Sequence, residues 1–210
     1  MKSILSALFL IAFTTATAQA DALALKFGAQ GWQTSAQSGP LEADKNAVSL
    51  WAALEHPIPI LPNVKIRSFD FDAQKELMVL KSTDYLFYYE VLDNLAVDLD
   101  IGIGAHQIRS GEIAGVKFDK TLPAAYGALR FPFGTEGGLG LYAEGLYGSE
   151  SSVSVTDLEL GVSFTFSFSV IDLHLLGGYR VMSYRLGGFN EDALTDPDFD
   201  GVTLGFEFDI

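Results

Sequence analysis

An antiparallel up-and-down β-barrel of ten strands is the fold class this sequence predicts, with eight strands as the alternative. Three observations predict it. Beyond residue 20 the chain alternates apolar and polar residues in ten separate stretches, and period-two alternation is the mark of a strand with two unlike faces. Hydrophobic residues make up 49% of the chain, yet no later segment is a continuous apolar run long enough for a membrane helix. Cysteine is absent, so a fold of this size has to be held by something other than disulfides, and a closed hydrogen-bonded barrel supplies it.

Residues 1–20 read as a targeting segment rather than as structure. Lys2 provides the positive end, Ile4–Phe13 the apolar run, and Ala18-Gln19-Ala20 a small-x-small cleavage site. The apolar run is far shorter than the roughly 20 residues of a spanning helix. A cleaved signal peptide is therefore expected, with the barrel domain at 21–210 beginning at Asp21.

The strands follow in order. Ala22–Gln33 sets Leu23, Leu25, Phe27 and Ala29 against Lys26, Gly28, Gln30 and Trp32, and the polar run 34–46 is expected to be a loop. Ala47–His56 sets Val48, Leu50 and Leu54 against Ser49, Trp51 and Glu55. It stops at Pro57-Ile58-Pro59-Ile60-Leu61-Pro62, where three prolines remove ladder donors. In Val64–Asp72 the apolar residues change face between Ile66 and Phe69, which predicts a bulge near Arg67-Ser68.

A loop at 73–82 is expected before the strand Thr83–Leu92, and Asp93-Asn94 signals a tight turn. Leu95–Arg109 alternates most regularly. A loop at 110–120, the strand Leu122–Phe131 and a turn at 132–138 follow. The strands Leu139–Gly148, Val153–Phe168 and Ile171–Arg185 come next, with a tight reversal near 167–170. An acidic loop, 186–198, leads to the last strand, Phe199–Ile210. The polar runs alternate longer and shorter, so one end of the barrel is expected to carry most of the loop mass, as in outer-membrane barrels with short periplasmic turns.

A soluble lipid-binding barrel also alternates, with its apolar side inward. Two features favour a membrane barrel. The apolar face is aromatic at its ends, Tyr85 and Tyr147 at one and Phe131, Phe166 and Phe208 at the other, as interfacial girdles are. The polar face is rich in glycine and alanine, which suits a cramped lumen. The mean hydropathy of +0.24 is high for a soluble β protein, and strands hide a membrane span from hydropathy because alternate residues face lipid.

The last strand ends in Thr203, Gly205, Phe208 and Ile210, a polar-x-Gly-x-x-aromatic-x-apolar pattern. It resembles the C-terminal signal of Gram-negative outer-membrane β-barrels, which implies recognition by the barrel assembly machinery. The segment 84–94 and Gly177-Gly178 in LLGGYR also resemble a family of small outer-membrane barrel proteins marked by a Gly-Gly pair in a late strand. That resemblance implies the barrel and a bacterial outer-membrane location, and carries no substrate.

Parity sends Lys26, Glu55, Asp84, Glu90, Asp98, Asp100, His106, Arg130, Glu144, Asp157, Glu159, Asp172, His174, Arg180, Glu207 and Asp209 into the lumen, joined by Lys65 and Arg67 if the bulge lies beyond them. Buried charges have to be paired or hydrated, so a salt-bridged plug is expected, with a narrow channel or small-solute site as the alternative. His106 with Asp98 or Asp100 is the nearest approach to a hydrolase arrangement. No G-x-S-x-G elbow accompanies it, and no enzyme is expected. His56 and His174 lack partners at metal-ligand spacing and read as structural.

Asp196-Pro197-Asp198-Phe199-Asp200-Gly201, closed by Glu207, matches a calcium-loop pattern. An extended strand would place Glu207 about 20 Å from Gly201, too far to share an ion. What remains is a weak surface cation candidate at Asp196, Asp198 and Asp200, with Glu191 and Asp192. No cofactor is expected. The net charge is −14, which argues against nucleic acid as a partner. Outer-membrane lipid, the assembly machinery during biogenesis and a monomeric state complete the expectations.

Overall fold

In the computed structural model, residues 23–58, 60–94, 96–134, 137–187, 189 and 196–210 are described. The expected signal segment 1–20, its junction at Asp21, and Leu95, Glu191 and Asp192 lie outside them. Ten strands form one closed antiparallel barrel: β1 (Ala24–Ser38), β2 (Leu41–Glu55), β3 (Asn63–Ala73), β4 (Met78–Asn94), β5 (Val97–Ile113), β6 (Val116–Pro132), β7 (Gly138–Glu150), β8 (Val153–Phe168), β9 (Ile171–Leu186) and β10 (Asp198–Asp209). Each strand pairs with its sequence neighbours, and β1 pairs with β10 from Lys26↔Asp209 to Gln37↔Asp198. Two further backbone bonds, Leu25 N–H to Ile210 O (2.9 Å) and Ile210 N–H to Leu25 O (3.1 Å), finish the seam. Closure pairs every strand with two neighbours, although 41–47 of β2 and 116–123 of β6 extend past their β3 and β7 partners.

The end where β1 begins and β10 ends is called the base here, and the opposite end the tip. Toward the base, the outward residues are apolar. On β8 they run Leu158, Leu160, Val162, Phe164, Phe166 and Phe168, all exposed. Ten residue steps of about 3.3 Å at a tilt of about 40° make this belt about 25 Å tall. Tyr85, Tyr147 and Tyr179 mark its tip-side rim, and Phe131, Phe166 and Phe168 its base-side rim.

Toward the tip, the polarity of the two faces reverses. Inward positions become apolar: Ala36, Phe69, Phe71, Ile108, Phe118, Val155 and Phe199 are buried. Outward positions become polar or charged, as at Glu42, Asp44, Asp70, Lys117 and Asp198. Except on β5, where the shift between Ile108 and Gly111 turns Gly111 and Ile113 inward, the parity of each strand is unchanged at this boundary and only the chemistry on it differs.

This reversal corrects two expectations. The run 34–46 and most of 73–82 and 110–120 are strand, not loop. They are the tip-side continuations of hairpins whose turns are only 39–40, 74–77 and 114–115. Loop mass is consequently not gathered at one end: the tip has one long connection, 187–197, and the base carries 56–62 and 133–137. Nor does β3 bulge at Arg67-Ser68. Its pairing to β2 and β4 is continuous, and Lys65, Arg67, Phe69 and Phe71 all point inward. The irregularities lie instead at Lys81/Ser82, Glu90/Leu92 and Ile108/Gly111.

The seam places a steric demand on one residue. Gly201 has φ +155°, and a Cβ there would lie 1.9 Å from the Gln33 carbonyl oxygen across the β1–β10 junction.

Candidate functional site

The site is the lumen, and its contents change in layers from base to tip. The first layer is a vestibule of about 710 Å³ that opens at the base. On its wall Lys26 Nζ lies 2.7 Å from Glu55 and 3.6 Å from Asp209. The Tyr88 hydroxyl donates to the same Glu55 at 2.6 Å. Opposite, Arg130 donates to Glu207 at 2.6 Å, and the Trp51 indole N–H donates to its other oxygen at 2.6 Å. Glu90, Asp98, Asp100 and Asp172 line the vestibule too, and among the described residues none has a cation within ion-pair distance. The open cavity beside them leaves room for the hydration that unpaired carboxylates need. Of the predicted lumen charges, Glu90 sits least inward, exposed at the rim.

Deeper in, six charges interlock. Arg67, from β3, donates to Asp84 (2.8 Å), Glu144 (2.9 Å) and Asp157 (2.7 Å), three carboxylates brought by three different strands. Lys65 joins Glu144 at 2.8 Å. Arg180 grips Asp157 bidentately at 2.7 and 2.6 Å and donates to Ser49 at 2.9 Å. Three cations thus face three anions, the balance that makes burial of such a cluster tolerable.

Glu159 sits beside this cluster in a different way. No cation lies within ion-pair distance among the described residues; instead Gln30, Tyr142 and Thr203 donate to it at 2.7, 2.6 and 2.8 Å. Gly178 makes room for that arrangement, because a Cβ there would meet the Tyr142 hydroxyl at 2.7 Å and Leu160 O at 2.8 Å. Its neighbour Gly177 faces outward, with nothing nearer than 4.0 Å. The Gly-Gly pair seen in the sequence is thus one constrained position and one free one.

His106 is not paired with Asp98 or Asp100. Its Nδ1 meets Asp84 Oδ1 at 2.6 Å, and Nε2 faces the Tyr184 hydroxyl at 3.0 Å. A carboxylate only accepts, so Nδ1 carries a proton toward Asp84. His174 meets Thr165 at 2.8 Å near the base, and His56 lies in the β2–β3 connection.

Above the ionic layer the lumen is closed by aromatics. Trp32 packs on Phe69 (ring centroids 5.5 Å), Phe69 and Phe71 on Phe199 (6.0 and 5.3 Å), and Tyr184 on Phe199 (6.3 Å). The Arg180 guanidinium lies 4.9 Å from the Trp32 ring and 5.6 Å from that of Phe69, joining the ionic layer to the apolar one. Between the vestibule and this plug lies a cavity of about 40 Å³. Sequence parity found the inward charges on the base-side half of β1, β2 and β7–β10. It missed the plug, whose one early signal was Trp32 on the otherwise polar face of the first strand.

The terminal pattern divides by face. Thr203 is buried against Glu159, and Gly205 lies close under Ala29 O, where a Cβ would be at 2.7 Å. Phe208 stacks on Phe27 across the seam (5.4 Å), and Ile210 supplies the last backbone pair. Asp196, Asp198 and Asp200 do not converge. Asp196 and Asp198 each lie 3.7 Å from Arg185, Asp200 accepts from the Tyr179 hydroxyl, and among the described residues no group of three such ligands is assembled. Glu207, the would-be closing ligand, belongs to Arg130.

No protein-family model matches the chain, and no curated protein sequence matches it. Among solved structures, the crystal structure of Neisserial surface protein A (NspA) is similar at 14% identity. That alignment covers 88% of this chain and 95% of the other, with a TM-score of 0.33.

Proposed function

We propose that this chain is an integral outer-membrane β-barrel protein with a side-chain-filled lumen. It acts structurally or through the surfaces it presents beyond the belt, and performs no catalysis. One observation carries the reading: around the base-side half of the barrel the outside is apolar and the inside is charged. A water-soluble barrel has the opposite arrangement, because exposed apolar surface on this scale is costly in water. A belt about 25 Å tall fits the apolar band of such proteins. The rows of tyrosine and phenylalanine at its rims suit the two interfaces. On this reading residues 1–20 direct export, Thr203, Gly205, Phe208 and Ile210 present the assembly signal, and the base with both termini faces the periplasm. The mature protein is a monomer in lipid.

The closed lumen argues against conduction. Fractionation is expected to recover the protein with outer membranes in a form that needs detergent for release, and to give heat-modifiable migration on gels. Planar bilayers containing it are expected to stay silent. Steady unitary conductance would overturn the filled-lumen reading, and recovery in the detergent-free periplasm would overturn the membrane reading. The vestibule favours one alternative, a small-solute site at the base; solute binding that is lost in Arg130→Ala would support it.

A further inference from the structure

The connection 56–62 between β2 and β3 has a composition unlike that of a turn in water. It carries three prolines and no Asp, Glu, Lys or Arg. Ile58 is 48% exposed, Ile60 84% and Leu61 51%. Proline has no N–H, so three backbone donors that would otherwise need hydration are absent.

Several of the polar groups that remain are turned on one another. The Ile58 N–H donates to His56 Nδ1 at 3.2 Å, and the Leu61 N–H to the Ile58 carbonyl at 3.1 Å. The His56 N–H donates to Asn63 Oδ1 at 3.1 Å. With Nδ1 accepting, a neutral ring carries its proton on Nε2, which faces the Pro62 carbonyl at 3.2 Å. This internal satisfaction is what irregular backbone needs where water is scarce.

The direction of the connection is set by Tyr89. That residue is on the outer face of β4, between Phe87 and Val91, and its hydroxyl donates to the Ile60 carbonyl at 3.1 Å. His56 and Pro57 still line the vestibule; Ile58, Ile60 and Leu61 do not. The connection therefore leans over the outer wall, where it extends the exposed apolar surface of Leu54, Val64, Tyr89 and Val91.

We propose that 56–62 is a lipid-docking wedge, with Ile58, Ile60 and Leu61 seated in the headgroup–acyl boundary of the leaflet at the base. Prolines and a histidine cap make it rigid, so it enters the leaflet preformed. The proposal rests on the membrane reading, and its test separates the two.

The chain has no cysteine, so single probes are placed without a background change. An environment-sensitive fluorophore is attached to Ile60→Cys, to Leu160→Cys in the belt, and to Leu77→Cys in the tip-side turn. Each full-length variant is reconstituted in phosphatidylcholine vesicles and quenched by iodide from water or by a nitroxide on the upper acyl chain. The probe at 60 is expected to behave as that at 160: blue-shifted, quenched by the lipid nitroxide, and several-fold less sensitive to iodide than that at 77. If 60 behaves like 77 while 160 reports lipid, the wedge is wrong and the membrane barrel stands. If 160 also reports water, the membrane reading falls and takes the wedge with it. Tyr89→Phe removes the clamp on Ile60, and iodide access at 60 is expected to rise; an unchanged value would refute the outward orientation that Tyr89 defines.

Discussion

Replacing Arg180 by methionine keeps most of the side-chain volume and deletes the charge at the centre of the lumen. Arg180 is 1% exposed, so no water replaces what is lost. Two charge-assisted bonds to Asp157 and one to Ser49 disappear, together with the stacking on Trp32. Removing one partner of a buried ion pair costs about 3–5 kcal/mol. Asp157 retains Arg67 at 2.7 Å, which favours the lower end of that range. The six-charge cluster is nonetheless left with one excess anion.

The decisive comparison is the double variant Arg180→Met/Asp157→Asn. It restores balance, with Lys65 and Arg67 facing Asp84 and Glu144. Adding Asp157→Asn is therefore expected to return about 2 kcal/mol to Arg180→Met, a coupling typical of groups in one network. The measurement is a guanidinium titration in detergent micelles, followed by tryptophan emission and by unheated gel migration. If the two single changes simply add, or if Arg180→Met costs under about 1 kcal/mol, the description of the lumen as a balanced ionic plug is wrong.

Three further outcomes are expected. Gly178→Ala lowers the folded fraction on unheated gels because its Cβ meets the Tyr142 hydroxyl, while Gly177→Ala leaves that fraction unchanged. Val162→Arg, in the middle of the belt on β8, costs about 2–4 kcal/mol in the same titration performed with lipid, and Thr156→Arg, outward but beyond the belt, costs almost none. Phe71→Ala, wholly buried in the aromatic plug, costs about 3–5 kcal/mol even in micelles, since its core does not depend on lipid.

The strand count and the face of each strand were legible because alternation survives wherever an apolar wall meets a polar lumen. Leu95–Arg109 and Val153–Phe168 are the clearest instances. Legibility ended where polarity reversed. In Thr34–Asn46 the inward residues mix small Ala36, Ser38 and Ala43 with Lys45, and the outward ones are polar, so nothing in the pattern separates strand from loop. On β3 the same reversal, Ile66 outward and then Phe69 inward, imitates a bulge although the pairing never slips. Within the site, membership of the lumen was readable from parity, but partnership was not. That His106 finds Asp84 depends on the β4–β5 register, with Asp84 directly opposite His106, and on the two shifts in that ladder. The contact with Tyr184 is longer-ranged still, because β9 and β5 are not neighbours.

On the proposed membrane reading, the reversed half of the barrel bears on how the protein would enter a bilayer and stay there. Glu42 and Asp44, Asp70, Lys117 and Asp119, and Asp198 and Asp200 face outward on the tip side of the belt. For the strands to thread a bilayer, these charges have to cross it first, at about 2–4 kcal/mol for each cation at the midplane and less for each carboxylate. Once across, they oppose retreat by the same amount. The tip behaves as the upset head of a rivet, formed on the far side of the sheet it fastens. On that reading, unfolding from sealed vesicles is expected to be slower than from micelles, and the denaturant curves for leaving and entering the bilayer are expected to separate. Thickening the hydrocarbon core widens that gap.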